Sequence, residues 1–319
     1  MIAHLCITIE MLKTFQHTLN EAVYFEGIGL HTGKIAKVKV VPGKDDQGIV
    51  FKRTDVSEKN LISAEFQNVS SAKLCTTLEN EYGIKVSTVE HLLAALYISD
   101  IDNATIEIDN EEVPIMDGSA KDFLEAFERT GIRKLTKKRK YYKILNKVEL
   151  NDGGKKISIE PNDTPSFEVN FQLNYNNKII GKQKNSINFQ SDDLENIAHS
   201  RTFCLFEDIE KIKKLGLAKG GSLDNAVVVD KDKILNDGGL RNNKEFVNHK
   251  ILDLAGDFLL LGLRIIGRVD CYQGGHELTN KFLRKLNSLN ACSTTIEVKN
   301  ILIAKKSGNN QISKIAVNA

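Results

Sequence analysis

The stretch Glu245 to Leu263 reads EFVNHKILDLAGDFLLLGL, and from Ile251 onward its only polar side chains are Asp253 and Asp257. A segment apolar on nearly every side is a buried helix. Carboxylates inside such a helix are costly unless they are paired or bind a metal. His249, Asp253 and Asp257 are spaced i, i+4, i+8, so they share one stripe that drifts by about 40° per step. A histidine and an aspartate one turn apart can both reach a single metal ion. A buried His–Asp hydrogen bond with no metal fits the same spacing.

Other segments carry weaker chemical signals. In Ser87 to Leu93 (STVEHLL), Glu90 and His91 stand together at the start of an apolar helix. Ser87-x-x-Glu90 matches a capping box, which would make Glu90 structural and His91 a core histidine. The chemical alternative makes His91 a metal ligand and Glu90 the general base beside it, although the HExxH spacing is absent. In Gln273 to Asn280 (QGGHELTN), His276 follows two glycines at an expected helix start. There the backbone can approach a ligand closely and the helix dipole favours anions; a loop histidine capping a helix is the simpler reading. Gly27 to Gly33 (GIGLHTG) is not a dinucleotide fingerprint, because its third glycine comes one residue late, and it reads as a tight turn before a strand. Lys219 to Asn225 (KGGSLDN) is a loop that could line a substrate channel, and Thr202 in Ala198 to Cys204 (AHSRTFC) could donate to an oxyanion.

The elements that must hold these residues are mixed. Alternation predicts strands at Lys34–Val41, Ile49–Phe51 and Ala104–Asp109, and the helical period predicts helices at Thr88–Ile98 and Ser119–Thr130, the latter with Ser119 as N-cap and Gly131 as stop. Arg133 to Lys143 has seven basic residues in eleven and reads as a solvated connector. It divides the chain into expected domains 1–137 and 138–319. In the second, strands are expected at Tyr142–Leu150, Lys156–Pro161, Phe167–Leu173, Lys184–Phe189, Asn225–Val229 and Arg264–Gln273, with helices at Glu207–Leu215, Glu245–Leu263 and Glu277–Leu289. Strands and helices do not alternate regularly enough for a doubly wound parallel sheet. The expected fold is therefore α+β, in two domains.

Composition sets outer limits. With 44 Lys+Arg against 42 Asp+Glu, the net charge of +2 gives no support for nucleic-acid binding. Five widely spaced cysteines without a C-x-x-C pair argue against a disulfide framework or a cysteine zinc site and fit a reducing cytoplasm. Residues 1 to 12, MIAHLCITIEML, lack a basic n-region and make a poor signal peptide. The apolar run Phe258–Ile266 is broken by Gly262 and Arg264, short of the roughly 20 residues a spanning helix needs. No integral membrane segment is expected.

Six segments occur in one order: Gly27–Gly33 (GIGLHTG), Thr88–His91 (TVEH), Pro114–Ser119 (PIMDGS), Ser200–Phe203 (SRTF), His249–Asp257 (HKILDLAGD) and Gly275–His276. Together, from about Met11 to about Leu289, the chain resembles the UDP-3-O-acyl-N-acetylglucosamine deacetylase family, zinc amidases that commit Gram-negative bacteria to lipid A synthesis. The resemblance implies two domains of sheet-and-helix layers packed together around a metal site, with one Zn²⁺ held by His91, His249 and Asp253. It implies Glu90 as general base, His276 as general acid or charge stabiliser, Asp257 orienting His276, Thr202 supporting the oxyanion, and Lys250 contacting substrate or intermediate. It places the acyl chain along Lys219–Val229, with Phe203, Lys155, Gly220 and Leu223 binding substrate. Lys155 aligns with a nucleotide-side lysine, and Leu223 stands where several relatives carry an aromatic. Residues 1–10 precede the family's usual start, which would make Met11 the initiator, and the tail after Leu289 matches no motif. A monomeric cytoplasmic enzyme acting on a UDP-linked acylated N-acetylglucosamine is expected. Two other readings stay open: a metal-free protein that binds an acylated sugar nucleotide, and an Fe²⁺ oxygenase, since two His and one carboxylate also suit iron. Metal content separates the first, and dependence on oxygen and a 2-oxo acid the second.

Overall fold

The structure, a computed structural model, describes residues 12–289 and 292–297. The N-terminal stretch as far as Met11, with Cys6, and the tail apart from 292–297 lie outside the described residues. The fold is α+β. Six helices are described: α1 Glu90–Ile98, α2 Lys121–Thr130, α3 Glu195–Ala198, α4 Phe206–Lys214, α5 Glu245–Leu259 and α6 His276–Ser288.

Alternation governs the first sheet. In Ile35–Pro42 the side chains of Ala36, Val38 and Val40 are buried while Ile35 and Lys37 face outward. That strand joins a five-stranded sheet in the order Val23–Ile28, Ile35–Pro42, Ala104–Ile108, Ile49–Arg53, Leu61–Ser63; only the Ile49–Arg53/Ala104–Ile108 pair is parallel. The amphipathic α2 packs on it, with Phe123 and Phe127 against Phe25. This helix ends at Gly131, whose φ of 71° is open to glycine at little cost. Ser119 sits one residue outside the helix's N-cap and still accepts a hydrogen bond from Lys121 N at 3.2 Å.

The second sheet is built around Arg264–Tyr272, which pairs with Lys140–Ile144, Lys155–Glu160 and Phe167–Asn174. Val148–Asp152, Lys182–Asn188 and Ser293–Glu297 extend it to seven strands. The segment expected as one strand, Tyr142–Leu150, is two, because Leu145–Lys147 turns the chain from one partner to another.

The basic run is not a connector. Ile132–Lys138 is a strand paired antiparallel with Phe15–Leu19, and Lys140–Ile144 belongs to the second sheet. Ile132–Lys138 is wetted on both faces, so pairing satisfies its backbone while its side chains stay charged, and composition hides the pairing. Lys134 Nζ lies 3.5 Å from the Phe15 ring centroid. Arg139, where the chain passes from ribbon to sheet, is buried and bonds Asp100 and Asp102, each at 2.7 Å. Arg264 joins it, with Nε 3.2 Å from Asp102 and its guanidinium over Tyr97.

The core position belongs to α1 and α5, which pack on each other and are buried on nearly every side. Their approach depends on Gly256: a side chain there would collide with the Glu90 carbonyl oxygen. The expected helix to Leu263 stops at Leu259, because Gly262, at φ 74°, turns the chain after a last Gly262 N to Leu259 O bond.

Candidate active site

The α1–α5 contact brings Glu90 and His91 of α1 against the stripe His249–Asp253–Asp257 of α5. His91 Nε2 lies 3.5 Å and His249 Nε2 3.3 Å from the same Asp253 oxygen, Oδ1. One ligand atom from each of the three residues falls within 4.8 Å of the others. The set fits a divalent ion on its own chemistry. Asp253 Oδ1, the oxygen that both Nε2 atoms face, is buried and accepts no hydrogen bond. Such groups are costly to leave unmet, and two imidazoles with one carboxylate are the donor set of an open tetrahedral site. His249 Nδ1 meets the carbonyl oxygen of Ser200 at 3.0 Å. A carbonyl only accepts, so Nδ1 carries the proton and Nε2 is left with its lone pair toward Asp253.

The other site residues gather beside this set. His276, the first residue of α6, donates from Nδ1 to Asp257 Oδ2 at 2.8 Å, and its Nε2 is 3.5 Å from Glu90 Oε1. Lys250 Nζ donates to Asp253 Oδ2 at 2.7 Å. Glu90 does not close a capping box. Thr88 adopts a left-handed φ of 55°, Ser87 Oγ donates to Glu111 O, and Glu90 Oε2 accepts from Thr76 N at 3.1 Å. The Glu90 carboxylate is thereby turned from its own helix end toward His276.

These contacts set the protonation states. Burial pushes the Glu90 carboxyl above the usual range, against the pull of His276 and His91. Burial also opposes a charged His276, but Asp257, Glu90 and Asp253 overcome it and raise its pKa to about 10. Asp253 is held well below the carboxylate range despite its burial, by His249, Lys250 and His276. Burial pushes His249 down to about 3, so the ring is neutral and able to act as a ligand.

An apolar cavity of about 360 Å³ lies next to this cluster, although neither the ligand set nor Glu90 nor His276 lines it. Leu30, Ile209, Ile212, Leu223 and Val228 line it, with Thr202 and Phe203. Phe203 lies between them and the ligand set, its ring centroid 6.3 Å from that of His249 and 5.6 Å from Lys250 Nζ. Thr202 is fixed by its N–H to Gly118 O at 2.7 Å. Two of the expected substrate residues are elsewhere. Gly220 packs its backbone against Gly29 and Leu30, where a side chain would collide with the Gly29 carbonyl, and its neighbour Gly221 lines the cavity instead. Lys155 is exposed on the Val148–Asp152/Lys155–Glu160 hairpin and is not part of the lining.

Three residues enter that sequence reasoning missed. Thr76 joins the two carboxylates, donating from N to Glu90 and from Oγ1 to Asp257 at 2.7 Å. His31 lines the cavity, buried, with both ring nitrogens unpartnered. Glu112 accepts from His31 N, Thr32 N and Thr88 Oγ1, tying the GIGLHTG turn to the turn before Glu90. Only His31 had a signal, its place inside a glycine-flanked turn.

The family model described as UDP-3-O-acyl N-acetylglycosamine deacetylase matches residues 16–288. Curated proteins named UDP-3-O-acyl-N-acetylglucosamine deacetylase are similar to the chain. The one from Phenylobacterium zucineum is 42% identical over 276 residues, covering 85% of this chain and 93% of its own. Those from Nautilia profundicola (43%; 85% and 91%) and Geotalea uraniireducens (41%; 89% and 92%) match to the same degree. With a model match over most of its length and relatives this similar across nearly their whole chains, the chain belongs to the UDP-3-O-acyl-N-acetylglucosamine deacetylase family.

Proposed function

We propose that this chain hydrolyses the acetamide of UDP-3-O-acyl-N-acetylglucosamine, releasing acetate and the free amine, a step of lipid A biosynthesis. Family membership and one observation support it: a two-histidine, one-aspartate ligand set with an unmet buried oxygen, beside a carboxylate–imidazole couple, with Phe203 joining the set to an apolar cavity. His91, His249 and Asp253 would hold the ion, for which we propose Zn²⁺. When bound, it supplies Lewis acidity to the amide carbonyl and the attacking water.

The chain's own groups do the rest. Glu90, ionised, accepts the proton of the attacking water at its Oε1 side, which faces His276. His276 keeps its Nδ1 proton on Asp257 and offers its Nε2 proton to the departing amine. Asp257, held in turn by Thr76, fixes that ring. Lys250 and Thr202 stand on the cavity side as donors for the oxyanion and substrate. The acyl chain lies along Phe203 and Leu223 in the cavity, with the UDP outside it.

No described helix is long and apolar enough to cross a membrane, and the described cysteines are all free. We further propose that the enzyme is cytoplasmic and monomeric and acts on a small sugar nucleotide. The test is acetate release from the UDP-linked acylated sugar, with and without a zinc chelator, and from the same sugar nucleotide lacking the acyl group. Chelation should abolish release. Loss of the acyl chain should cost orders of magnitude in kcat/KM, at about 0.8 kcal/mol per buried methylene. Equal turnover of both substrates would contradict the cavity assignment, and full turnover in metal-free protein the metal assignment.

A further inference from the structure

The ligand stripe extends one turn backward from His249 to Glu245, a carboxylate that the proposed chemistry does not use. Glu245 is fully buried. Its Oε1 accepts from Arg201 N at 3.1 Å and from Arg201 Nε at 2.8 Å, and its Oε2 from Arg201 Nη2 at 3.2 Å and Arg241 N at 2.7 Å. Arg201 Nη2 also donates to Gly239 O at 2.8 Å. The residue before Arg201 is Ser200, whose carbonyl meets His249 Nδ1, and the residue after it is Thr202 on the cavity wall.

Ser200, Arg201 and Thr202 belong to no helix or strand, so no regular ladder holds the Ser200 carbonyl in place. Ser200 bonds Asn196 O through Oγ and Ile197 O through N, and the forked contact of Arg201 with Glu245 adds the tie that fastens the segment to the very helix that carries His249. Net stability is a poor reason for such a pair, since apolar replacements of buried ion pairs are often neutral or stabilising. Geometry is a better one: a bidentate guanidinium–carboxylate contact fixes distance and direction together. His91, which lacks a clamp of this kind, leaves its Nδ1 without a partner.

We infer that the Arg201–Glu245 pair is a positioning device for His249, holding the Ser200 carbonyl where it keeps the ring proton on Nδ1 and leaves Nε2 free to bind a metal. The inference rests on the reading of His249 as a ligand. Partners of this kind around a metal-binding histidine typically matter by 10–100-fold in metal affinity or activity.

The experiment uses full-length protein labelled with ¹⁵N-histidine. NMR of the metal-free wild type at neutral pH should show His249 as the Nδ1–H tautomer; a proton on Nε2 there would overturn the inference without any variant. Arg201→Lys keeps the charge and loses the fork. It should give a mixture of tautomers and bind zinc roughly 10–100-fold more weakly in chelator competition. Glu245→Gln, which retains one acceptor, should move both readouts in the same direction by less. Arg139→Lys, in an ion-pair cluster with no contact to the site, should lower stability and leave both readouts unchanged. A single unaltered tautomer with unaltered zinc affinity in Arg201→Lys or Glu245→Gln would overturn the inference. Failure of the wild type to bind zinc at all would instead contradict the proposed function.

Discussion

Around Arg139, each buried charge faces its opposite. Arg139 and Arg264 share Asp100 and Asp102, and spare guanidinium protons go to the backbone oxygens of Asp100, Tyr97 and Leu96. Around Asp253, the accounts do not close: Asp253 Oδ1 and His91 Nδ1 lack partners, and three carboxylates crowd one imidazole. The two clusters also differ in titration. Burial would raise the Asp100 carboxyl, but Arg264 and Arg139 hold it below its ordinary value, whereas burial wins at Glu90 and raises it. A cluster whose charges are all paired joins parts of the molecule, while one with an unpaired carboxylate oxygen carries a cost that a ligand can relieve, and such sites are where reactive groups gather. The difference separates structural from chemical burial of charge without reference to any relative.

The contrast can be broken or sharpened by substitution. The largest effect is expected from Asp253→Ala, which removes the oxygen both histidines face. Elemental analysis should find about one tightly bound divalent ion in the wild type and none in the variant, with activity lost; a normal metal content would contradict the ligand set.

His276→Ala should retain the metal and lower kcat by roughly 10²–10⁴. The pH profile shows why. The base must be ionised, so activity falls as pH drops through the raised Glu90 pKa; the acid must be protonated, so activity falls as pH rises through a His276 pKa raised to about 10. Asp257→Asn removes the carboxylate that most raises His276 and should move the basic limb to lower pH. An unmoved limb in this variant would place the acid on another group.

At the paired cluster the signs reverse. Asp102→Ala leaves two buried guanidinium groups short of a partner and should cost about 3–5 kcal/mol in denaturant unfolding, with kcat of the folded protein unchanged. The smallest change is expected from Lys155→Ala, on its exposed hairpin: KM should shift slightly or not at all, and a large rise would bring the nucleotide to that hairpin.

Much of the site was legible because it is written on one helix. The apolar face of Glu245–Leu259 declares burial, and polar residues that recur at one-turn spacing within it declare a shared direction. Glu90 and His91 were readable as a pair, but their local pattern pointed equally to a capping box. That choice is made by Thr76 and by the left-handed Thr88, neither of which has a sequence signature. Glu112 and Thr76 act across separations of 81 and 181 residues, through contacts that no local period encodes. The basic run was misread for a related reason: its strand partner, Phe15–Leu19, lies more than a hundred residues earlier. Gly256 carries no signal of its own in the sequence and is the point where α1 and α5 touch.

The claim that an unpaired buried charge marks the reacting groups is tested most directly by measuring kcat and unfolding midpoint side by side in Glu90→Gln and Asp102→Asn. These are equal chemical changes, one in each cluster. Glu90→Gln should lose roughly 10²–10⁴ in kcat while retaining metal and midpoint, and Asp102→Asn should lower the midpoint with kcat intact. A Glu90→Gln enzyme that turns over like the wild type, or an Asp102→Asn enzyme that loses activity at full stability, would contradict the account.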